Sequence, residues 1–439
     1  MLGFFAAVIV GSLLLSLPIS AADGQRVPYI DALFTATSAT CVTGLVTVST
    51  ATTWSFFGQA VILLLIQIGG LGIITIMSGI MMAVRKRMGI GDRLLLQDAF
   101  NLNTLSGLGA FVKKVVIGTL LVEGVGALLY MIVFVPEFGA RGIWISVFNS
   151  VSAFCNAGMD VIGETSLAQY VENLLINGVT CTLIILGGIG YIVWWDVIRV
   201  FSSPKIKKRR ALSHLTLGSK IAIAASVLFV FVGAALIFAF EYSNPKTIGD
   251  LSLWNKIQAS VFQSVTTRTA GFFTIDQQGL TNASSVVCMF LMFIGGSPVG
   301  TAGGVKTVTV AVLFISALAM IKDKDEVSVF GRSIPKQAVS KAVAVSVMSF
   351  SILFISTVLL SFVSTDASLL DVMYESVSAT ATVGLTRNFT ATLGLAGKII
   401  IICTMYLGRV GPISLALALN SKKKNENAIK DPTEDISVG

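Results

Sequence analysis

Hydrophobic positions occur along this chain in long blocks, and short polar connectors separate the blocks. A helix needs roughly 20 consecutive apolar residues to cross the ~30 Å hydrocarbon core of a bilayer. The sequence therefore predicts an all-α integral membrane protein with eight transmembrane helices. The predicted spans are 2–22, 56–84, 111–135, 172–200, 219–241, 282–320, 338–364 and 393–420.

Four shorter amphipathic runs lie between pairs of spans, and each is followed by a glycine. The runs cover 29–39, 144–154, 254–265 and 369–379, and the glycines are Gly44, Gly158, Gly271 and Gly384. The glycine spacings are 114, 113 and 113 residues (158 minus 44, 271 minus 158, 384 minus 271), which indicates four copies of one unit. We predict repeats at 1–90, 91–210, 211–330 and 331–420, followed by a cytoplasmic tail at 421–439.

Each short run is too short to span a bilayer, so we expect it to enter the membrane and return through a loop. Non-helical backbone at that depth is tolerated when it is buried in protein or lines water. Glycine adopts positive φ without steric cost, which lets successive carbonyls point toward a common axis. Four such loops would offer rings of carbonyl oxygens that replace the hydration shell of a cation. The predicted architecture is therefore four span, pore-loop, span units around a pseudo-fourfold, K+ channel-like pore.

The candidate filter residues are four per loop. They are Cys41, Val42, Thr43 and Gly44; Cys155, Asn156, Ala157 and Gly158; Arg268, Thr269, Ala270 and Gly271; and Ala381, Thr382, Val383 and Gly384.

The fourth loop, Thr382-Val383-Gly384-Leu385, is close to the Thr-Val-Gly-Tyr core of potassium-channel filters, and the other loops are looser versions. With one such glycine per repeat, the chain resembles the Trk/Ktr/HKT superfamily of cation transporters over essentially its whole length. Within it the chain looks most like the KtrB-type membrane subunits, which are also described as sodium-ATPase-associated. The resemblance implies K+ as the transported ion, with Na+ as a stimulating or alternative ion. Asn156 and Arg268 depart from the Thr/Ser-rich filter pattern, so the strength of K+ selectivity stays open.

The sixth span contains a predicted gate. At 1.5 Å per residue, residues 285–320 would form a helix of roughly 54 Å, longer than a bilayer needs. Glycine costs a helix about 1 kcal/mol and proline about 3 kcal/mol, so we predict a break in its middle. The gate-loop residues are Gly295, Gly296, Ser297, Pro298, Gly300, Thr301, Gly303, Gly304 and Lys306, and this segment resembles the intramembrane gating loop of KtrB-like proteins. A glycine-rich helix-packing face is the alternative.

Arg409 lies near the middle of the last predicted span, where a charge costs roughly 2.5–3.5 kcal/mol and needs a partner. One hypothesis is that it faces the pore and contacts the gate loop. The other is a structural ion pair with an acid such as Glu123. Acids near the predicted outer mouth (Asp31, Asp160, Asp276, Asp371 and Glu375) could attract cations, although helix caps and solvated side chains are commoner roles.

Composition and charge narrow the class further. The chain is 54% hydrophobic with a net charge of +8, and its basic residues cluster in alternate connectors. This placement predicts cytoplasmic termini in a cell-membrane protein and gives no reason to expect nucleic acid. One histidine, five scattered cysteines and the absence of a Walker lysine pattern argue against an enzyme and against nucleotide binding by this chain. The resemblance instead implies regulation by a cytosolic KtrA-type nucleotide-binding ring and a KtrB-type homodimer, with the tail 429–439 contacting the neighbouring subunit.

Two other functions remain open at this point. A symporter for an organic solute would use broken helices at the midplane, but such folds usually have inverted repeats and more than one broken span. An accessory subunit of a sodium-pumping ATPase, or a Na+-permeable cation transporter, would share the same apolar spans.

Overall fold

The chain is helical in the computed structural model, which describes residues 2–72, 75, 76, 78, 108–204, 211–324 and 326–411. The connector at 85–93, the basic connector at 205–210 and the tail at 421–439 lie outside these residues. Each of the eight predicted spans contains a helix within the described residues.

Within each predicted repeat, a helix from one predicted span, a helix from the half-length run and a helix from the next predicted span follow in order, and we call the helices of the spans long helices. In the first half of the chain they are α1 (Leu2–Leu15), α2 (Tyr29–Cys41), α3 (Phe56–Leu71), α4 (Leu108–Phe138), α5 (Ala140–Cys155), α6 (Leu174–Gly188) and α7 (Tyr191–Ser202). In the second half they are α8 (Leu217–Glu241), α9 (Leu253–Thr266), α10 (Asn282–Phe293), α11 (Thr307–Ile321), α12 (Lys336–Val363), α13 (Leu369–Ala381) and α14 (Leu395–Val410).

Short polar side chains start many of these helices. Ser, Thr and Asn are favoured at helix N-caps because their side-chain oxygens accept hydrogen bonds from the first free backbone N–H groups. The capping residues are Ser55 before α3, Asn173 before α6, Thr216 before α8, Ser252 before α9, Thr281 before α10 and Ser368 before α13.

Two of the predicted spans are broken. The sixth ends as α10 at Phe293 and resumes as α11 at Thr307, which confirms the break predicted from its glycines and proline. The fourth also breaks, because α6 and α7 are bent by 96° at residues 189–190. The sequence analysis did not predict this second break.

The helices pack in a closed order. In the first, second and fourth units the half-length helix packs against both long helices of its unit. In the third unit α9 packs against α8, and its Gln263 contacts Cys288 of α10. The long helix after it contacts the half-length helix of the next unit, in the pairs α3 with α5, α6 with α9, α10 with α13 and α14 with α2. The last pair joins the end of the chain to its beginning, so the contacts return to the first unit.

The outer surfaces of the long helices are apolar. Phe231 on α8, Leu128 on α4 and Phe362 on α12 are 72%, 65% and 81% exposed. Among the described residues, α4, α8 and α12 are long and apolar enough to cross a bilayer singly, and the bent pair α6 and α7 qualifies as one span. Large exposed apolar side chains on such helices are expected where lipid is the solvent. A two-stranded hairpin, β1 (Ser328–Val329) with β2 (Arg332–Ser333), joins α11 to α12.

Candidate ion pathway

The four predicted glycines lie just beyond the C-terminal ends of the half-length helices. Their φ values are 94° at Gly44, 66° at Gly158, 84° at Gly271 and 98° at Gly384. This is the left-handed region, which residues with a Cβ rarely occupy. The backbone conformation on which the sequence argument depends is therefore present in all four loops.

The four loops contact one another in cyclic order. A Cβ added to any of the glycines would lie closer than 3.0 Å to a carbonyl oxygen of another loop. The pairs are Gly44 with Ala157, Gly158 with Ala270, Gly271 with Val383 and Gly384 with Thr43. Each glycine thus faces the residue before the glycine of the next loop, and the fourth loop returns to the first. The close approach of these backbones leaves no room for a side chain at the four positions.

A second residue in each loop also has positive φ, and in all four loops it lies two positions before the glycine. These residues are Val42, Asn156, Thr269 and Thr382, with φ of 55°, 61°, 67° and 52°. The sequence analysis did not find this feature, because only glycine signals positive φ by itself. Valine is β-branched and is strongly disfavoured there, so its conformation is imposed by the surrounding structure.

In the first and fourth loops, backbone N–H groups donate hydrogen bonds to a serine of the preceding half-length helix. The N–H of Thr43 donates to the carbonyl of Ser38 at 2.8 Å, and the N–H of Gly44 donates to the hydroxyl of Ser38 at 3.0 Å. Val383 and Gly384 make the same two bonds with Ser378. A serine of the half-length helix thus accepts the hydrogen bonds of the loop N–H groups in both units.

The loop oxygens, in contrast, are free. Among the described residues, no hydrogen-bond donor contacts the carbonyl oxygens of Thr43, Ala157, Ala270 or Val383. The hydroxyls of Thr43 and Thr382 are buried and also have no partner there. Most buried polar groups in proteins are paired, so a cluster of unpaired oxygens is expected where water or an ion binds. Oxygen-only ligands suit alkali cations, and the residues present fit such an ion as cargo.

Cys41, Cys155, Arg268 and Ala381 come one residue before the second positive-φ position. At this position the third loop differs from the others, because it carries a long charged side chain. The Arg268 guanidinium donates to the carbonyl of Ser226 at 3.1 Å and to the carbonyl of Gly295 at 3.5 Å, behind the loop. Its backbone belongs to the loop, but its side chain is held by α8 and by the start of the gate loop.

The loop between α10 and α11, residues 294–306, contains the predicted gate residues and contacts three of the four filter loops. The Thr301 hydroxyl lies 3.0 Å from the carbonyl oxygen of Phe154 and from the side-chain oxygen of Asn156. The N–H of Gly303 donates to the hydroxyl of Thr269 at 3.2 Å. Gly303 also packs against Thr382, so closely that a Cβ there would overlap the threonine hydroxyl. The loop therefore touches the filter through the second positive-φ residues of the second, third and fourth units.

The gate loop is also bonded to the second helix break. The N–H groups of Ser297 and Thr301 donate to the carbonyls of Gly188 and Gly187 at 2.8 and 3.1 Å. The N–H of Tyr191, the first residue of α7, donates to the carbonyl of Val299 at 3.0 Å. The sequence pattern places the glycines at 187–190 inside a continuous span. In the structure the backbone there forms hydrogen bonds with the gate loop.

Two cations donate to carbonyls of the gate loop, Arg409 from α14 and Lys306 from within the loop itself. Arg409 donates to the carbonyl of Thr301 at 2.6 Å and to the carbonyl of Gly69 at 2.6 Å. Lys306 donates to the carbonyl of Ala302 at 2.5 Å. The contact of Arg409 with the gate loop is thus present, and its gating role stays a prediction.

The alternative partner of Arg409 is engaged elsewhere. Both carboxylate oxygens of Glu123 accept hydrogen bonds from Gln67 at 3.2 Å. The three ion pairs found among the described residues do not include Arg409.

Two of the acids near the other end of the filter are neutralised. Asp31 pairs with Lys398 at 2.6 Å, and Asp371 pairs with Arg387 at 2.8 Å. Glu375 accepts hydrogen bonds from Thr386 and Thr390. Burial raises the pKa of Asp160 to about 6, so this acid is fully ionised only well above that pH. These carboxylates should therefore attract cations less strongly than their number alone indicates.

Four glycine loops in cyclic contact, a loop held against them by Arg409, and apolar helices around them are typical of a membrane transport protein for cations. Comparison with known proteins agrees. The family profile TrkH, described as a cation transport protein, matches residues 5–429, and the chain belongs to this family. It is a multi-pass membrane protein that transports ions, and it is not an enzyme.

Several relatives are similar over their full length. The Potassium/sodium uptake protein NtpJ of Enterococcus hirae is 38% identical over 442 residues, covering 100% of this chain and 96% of the relative. The Ktr system potassium uptake protein B of Bacillus subtilis is 38% identical over 439 residues, covering 100% and 95%. Among solved structures, the Potassium Transporter TrkH from Vibrio parahaemolyticus has a TM-score of 0.74 at 17% identity, covering 95% of this chain and 84% of that one, and shows the shared fold.

Proposed function

We propose that this protein takes up K+ across the cell membrane through a filter formed by its four glycine loops. Eight spans in four units would surround one pseudo-fourfold axis, and the sixteen filter positions predicted from the sequence would line it with backbone oxygens. The observation that carries the proposal is the cyclic contact of Gly44, Gly158, Gly271 and Gly384 with neighbouring carbonyls. The two relatives described above are named as potassium uptake proteins, one of them also for sodium.

The gate of this pathway is the loop 294–306. It would obstruct the inner end of the filter while Arg409 and Lys306 hold its carbonyls, and it would open when these bonds break. Support comes from the contacts of Thr301 and Gly303 with three filter loops. Because buried cations repel K+, the closed loop would add an electrostatic barrier to a steric one.

Regulation would come from outside the membrane. The relative from Bacillus subtilis is named as part of a Ktr system, which supports a partner subunit. We propose that a cytosolic nucleotide-binding ring docks on the face that carries the connectors after α3 and α7, and that the protein acts as a homodimer. In this arrangement both termini are cytoplasmic, as the clusters of basic residues indicate.

The decisive experiment measures Rb+ uptake into liposomes that contain only this chain. We expect uptake that K+ inhibits strongly and that Na+ and Li+ inhibit weakly. Equal competition by all three ions would remove the K+ assignment and leave a general cation pore. Absence of uptake would favour the second candidate, an accessory subunit of a sodium-pumping ATPase without a pathway of its own.

A further inference from the structure

Helix α7 leaves the span that precedes it almost at a right angle. The bend of 96° occurs at Ile189 and Gly190, and Gly190 has a φ of 91°. A side chain at residue 190 would collide with the carbonyl of Pro298 in the gate loop. The turn between α6 and α7 therefore exists in its present form only against the gate loop.

The start of α7 is bonded directly to that loop. Three backbone hydrogen bonds join residues 187, 188 and 191 to residues 301, 297 and 299. A displacement of α7 along its axis would pull on the carbonyl of Val299, between Pro298 and Gly300. The gate loop is thus tied to α7 as well as to Arg409.

Two contacts tie the middle of α7 to the start of α4 and to the start of α8. Lys114 of α4 lies over the ring of Trp195 at 5.5 Å, and Asp196 accepts a hydrogen bond of 2.8 Å from the N–H of Thr216 at the start of α8. Lys114 is roughly 36 Å from the far end of α4, and Thr216 is about as far from the far end of α8, at 1.5 Å per residue. The hydrocarbon core measures ~30 Å. Both contacts are therefore farther from the far ends of α4 and α8 than the hydrocarbon core is thick, which supports a position near a membrane surface.

The exposed surface at this level is both apolar and basic. Ile198 and Phe201 are 46% and 50% exposed, and the Arg199 side chain between them is 64% exposed. Lys113 and Lys114 are exposed on the neighbouring α4. An amphipathic helix with a tryptophan and basic residues, lying across the direction of a span, is typical of a helix that rests in a membrane surface.

We propose that α7, together with Lys113 and Lys114, binds anionic phospholipid headgroups and thereby sets the position of the gate loop. The inference rests on the proposed function, in which this face is cytoplasmic and residues 294–306 form the gate. Charge complementarity selects the lipid. Arg199 is paired with Asp196 at 2.5 Å, but the Asp196 side chain is only 5% exposed, so the exposed charges on this surface are positive, whereas the cytoplasmic leaflet is negative. A soluble protein partner is the competing occupant, but the exposed apolar side chains of Ile198 and Phe201 beside exposed basic residues favour a membrane surface, which can accept both.

The binding step is tested with the full chain in vesicles of phosphatidylcholine, with and without phosphatidylglycerol. Brominated phosphatidylglycerol should quench tryptophan fluorescence more than brominated phosphatidylcholine, and Trp195→Phe should remove most of that difference. The triple variant Lys113→Gln, Lys114→Gln, Arg199→Gln should abolish the preference, since each basic residue near an anionic surface strengthens binding about fivefold. The matched control neutralises three exposed basic residues elsewhere, Arg26→Gln, Arg141→Gln and Lys246→Gln.

The coupling step is tested by Rb+ uptake in the same vesicles. Wild-type uptake should change severalfold when phosphatidylglycerol is added, and the triple variant should keep the phosphatidylcholine rate in both. Tyr191→Pro removes the N–H that bonds Val299 at a helix position where proline is tolerated, whereas Tyr191→Ala removes only the ring. Lipid preference should survive in both variants, and the response of uptake to lipid should be lost in Tyr191→Pro alone.

The outcomes separate this inference from the proposed function. If wild-type protein takes up no Rb+ in any lipid, the proposed function fails, but the quenching measurement still reports on lipid binding. Equal quenching by both brominated lipids, or equal effects of the triple variant and its control, would overturn the lipid site and favour a protein occupant. Preserved lipid response in Tyr191→Pro would overturn the coupling.

Discussion

The guanidinium of Arg409 donates a hydrogen bond of 2.6 Å to the carbonyl oxygen of Thr301, although the two residues are 108 positions apart. The same guanidinium bonds Gly69 on the first unit. Arg409 therefore links the fourth unit, the first unit and the gate loop of the third. The bond is charge-assisted and part-buried, so its loss should affect the loop more than the loss of a neutral bond would.

Replacing Arg409 with alanine should increase Rb+ uptake, because the gate loop loses the cation that holds Thr301 and the barrier that this charge creates. We expect uptake to rise severalfold without a partner protein. Arg409→Lys keeps the charge but cannot bond two carbonyls in a fixed fork, so it should lie between wild type and Arg409→Ala. Unchanged uptake combined with a lower Tm would show that Arg409 is structural only.

A Cβ at residue 384 should destroy ion selectivity. Gly384→Ala must adopt a φ of 98° and overlap the carbonyl of Thr43, which costs about 1–3 kcal/mol for the backbone alone. The loop would have to move, and the spacing of its oxygens would change. We expect competition of Na+ against Rb+ uptake to become as strong as that of K+.

Gly394→Ala is the matched control for that variant. Gly394 has a φ of −68° and open space around it, so alanine should be accepted there with selectivity unchanged. A Gly384→Ala protein with wild-type selectivity would contradict the placement of this glycine in the filter.

The half-length helices could be predicted because their information is local. Helix α13 begins at Leu369, as the apolar pattern predicts, and the glycine spacing located all four loops. Helix α5 begins at Ala140, earlier than the predicted Trp144, because the positive-φ turn at Gly139 lets the chain turn and continue directly into it. The break between α10 and α11 was predictable for the same reason, since its glycines and proline lie within one short segment.

Features that depend on contacts between units were not predictable. Val42 has positive φ although its side chain disfavours it, since the loop is fixed by its neighbours. The bend at Gly190 needs the carbonyl of Val299 as a partner, and that residue lies in another unit. The side chain of Arg268 could have pointed toward the ions or away from them, and only the position of Ser226 on α8 distinguishes the two.

The ion pair between Asp31 and Lys398 should stabilise the junction of the first and fourth units. Its atoms are 2.6 Å apart, and the two side chains are only 9% and 18% exposed. Lys398→Met would leave a largely buried carboxylate with the Thr47 hydroxyl as its remaining partner. We expect a loss of about 2 kcal/mol, less than for a fully buried pair.

That loss is measured as a lower Tm of the purified protein in detergent. Adding Asp31→Asn to Lys398→Met should recover part of the stability, because no unpaired charge then remains. Lys246→Met, at an exposed position, is the control and should leave Tm unchanged. If the double variant were less stable than Lys398→Met, the charge of Asp31 would be compensated by some other group.

The hydroxyls of Thr382 and Thr390 offer a contrast between an ion ligand and a structural hydrogen bond. The Thr382 hydroxyl is buried without a partner among the described residues, whereas the Thr390 hydroxyl donates to Glu375. Thr382→Val should leave Tm nearly unchanged, since no bond is lost, and should weaken the preference for K+ over Na+. Thr390→Val should lower stability by about 1–2 kcal/mol through the weakened pairing of a buried carboxylate, with selectivity intact. Tm and ion competition measured on both variants check this, and a reversed pattern would place the unpaired oxygen of Thr382 away from the ions.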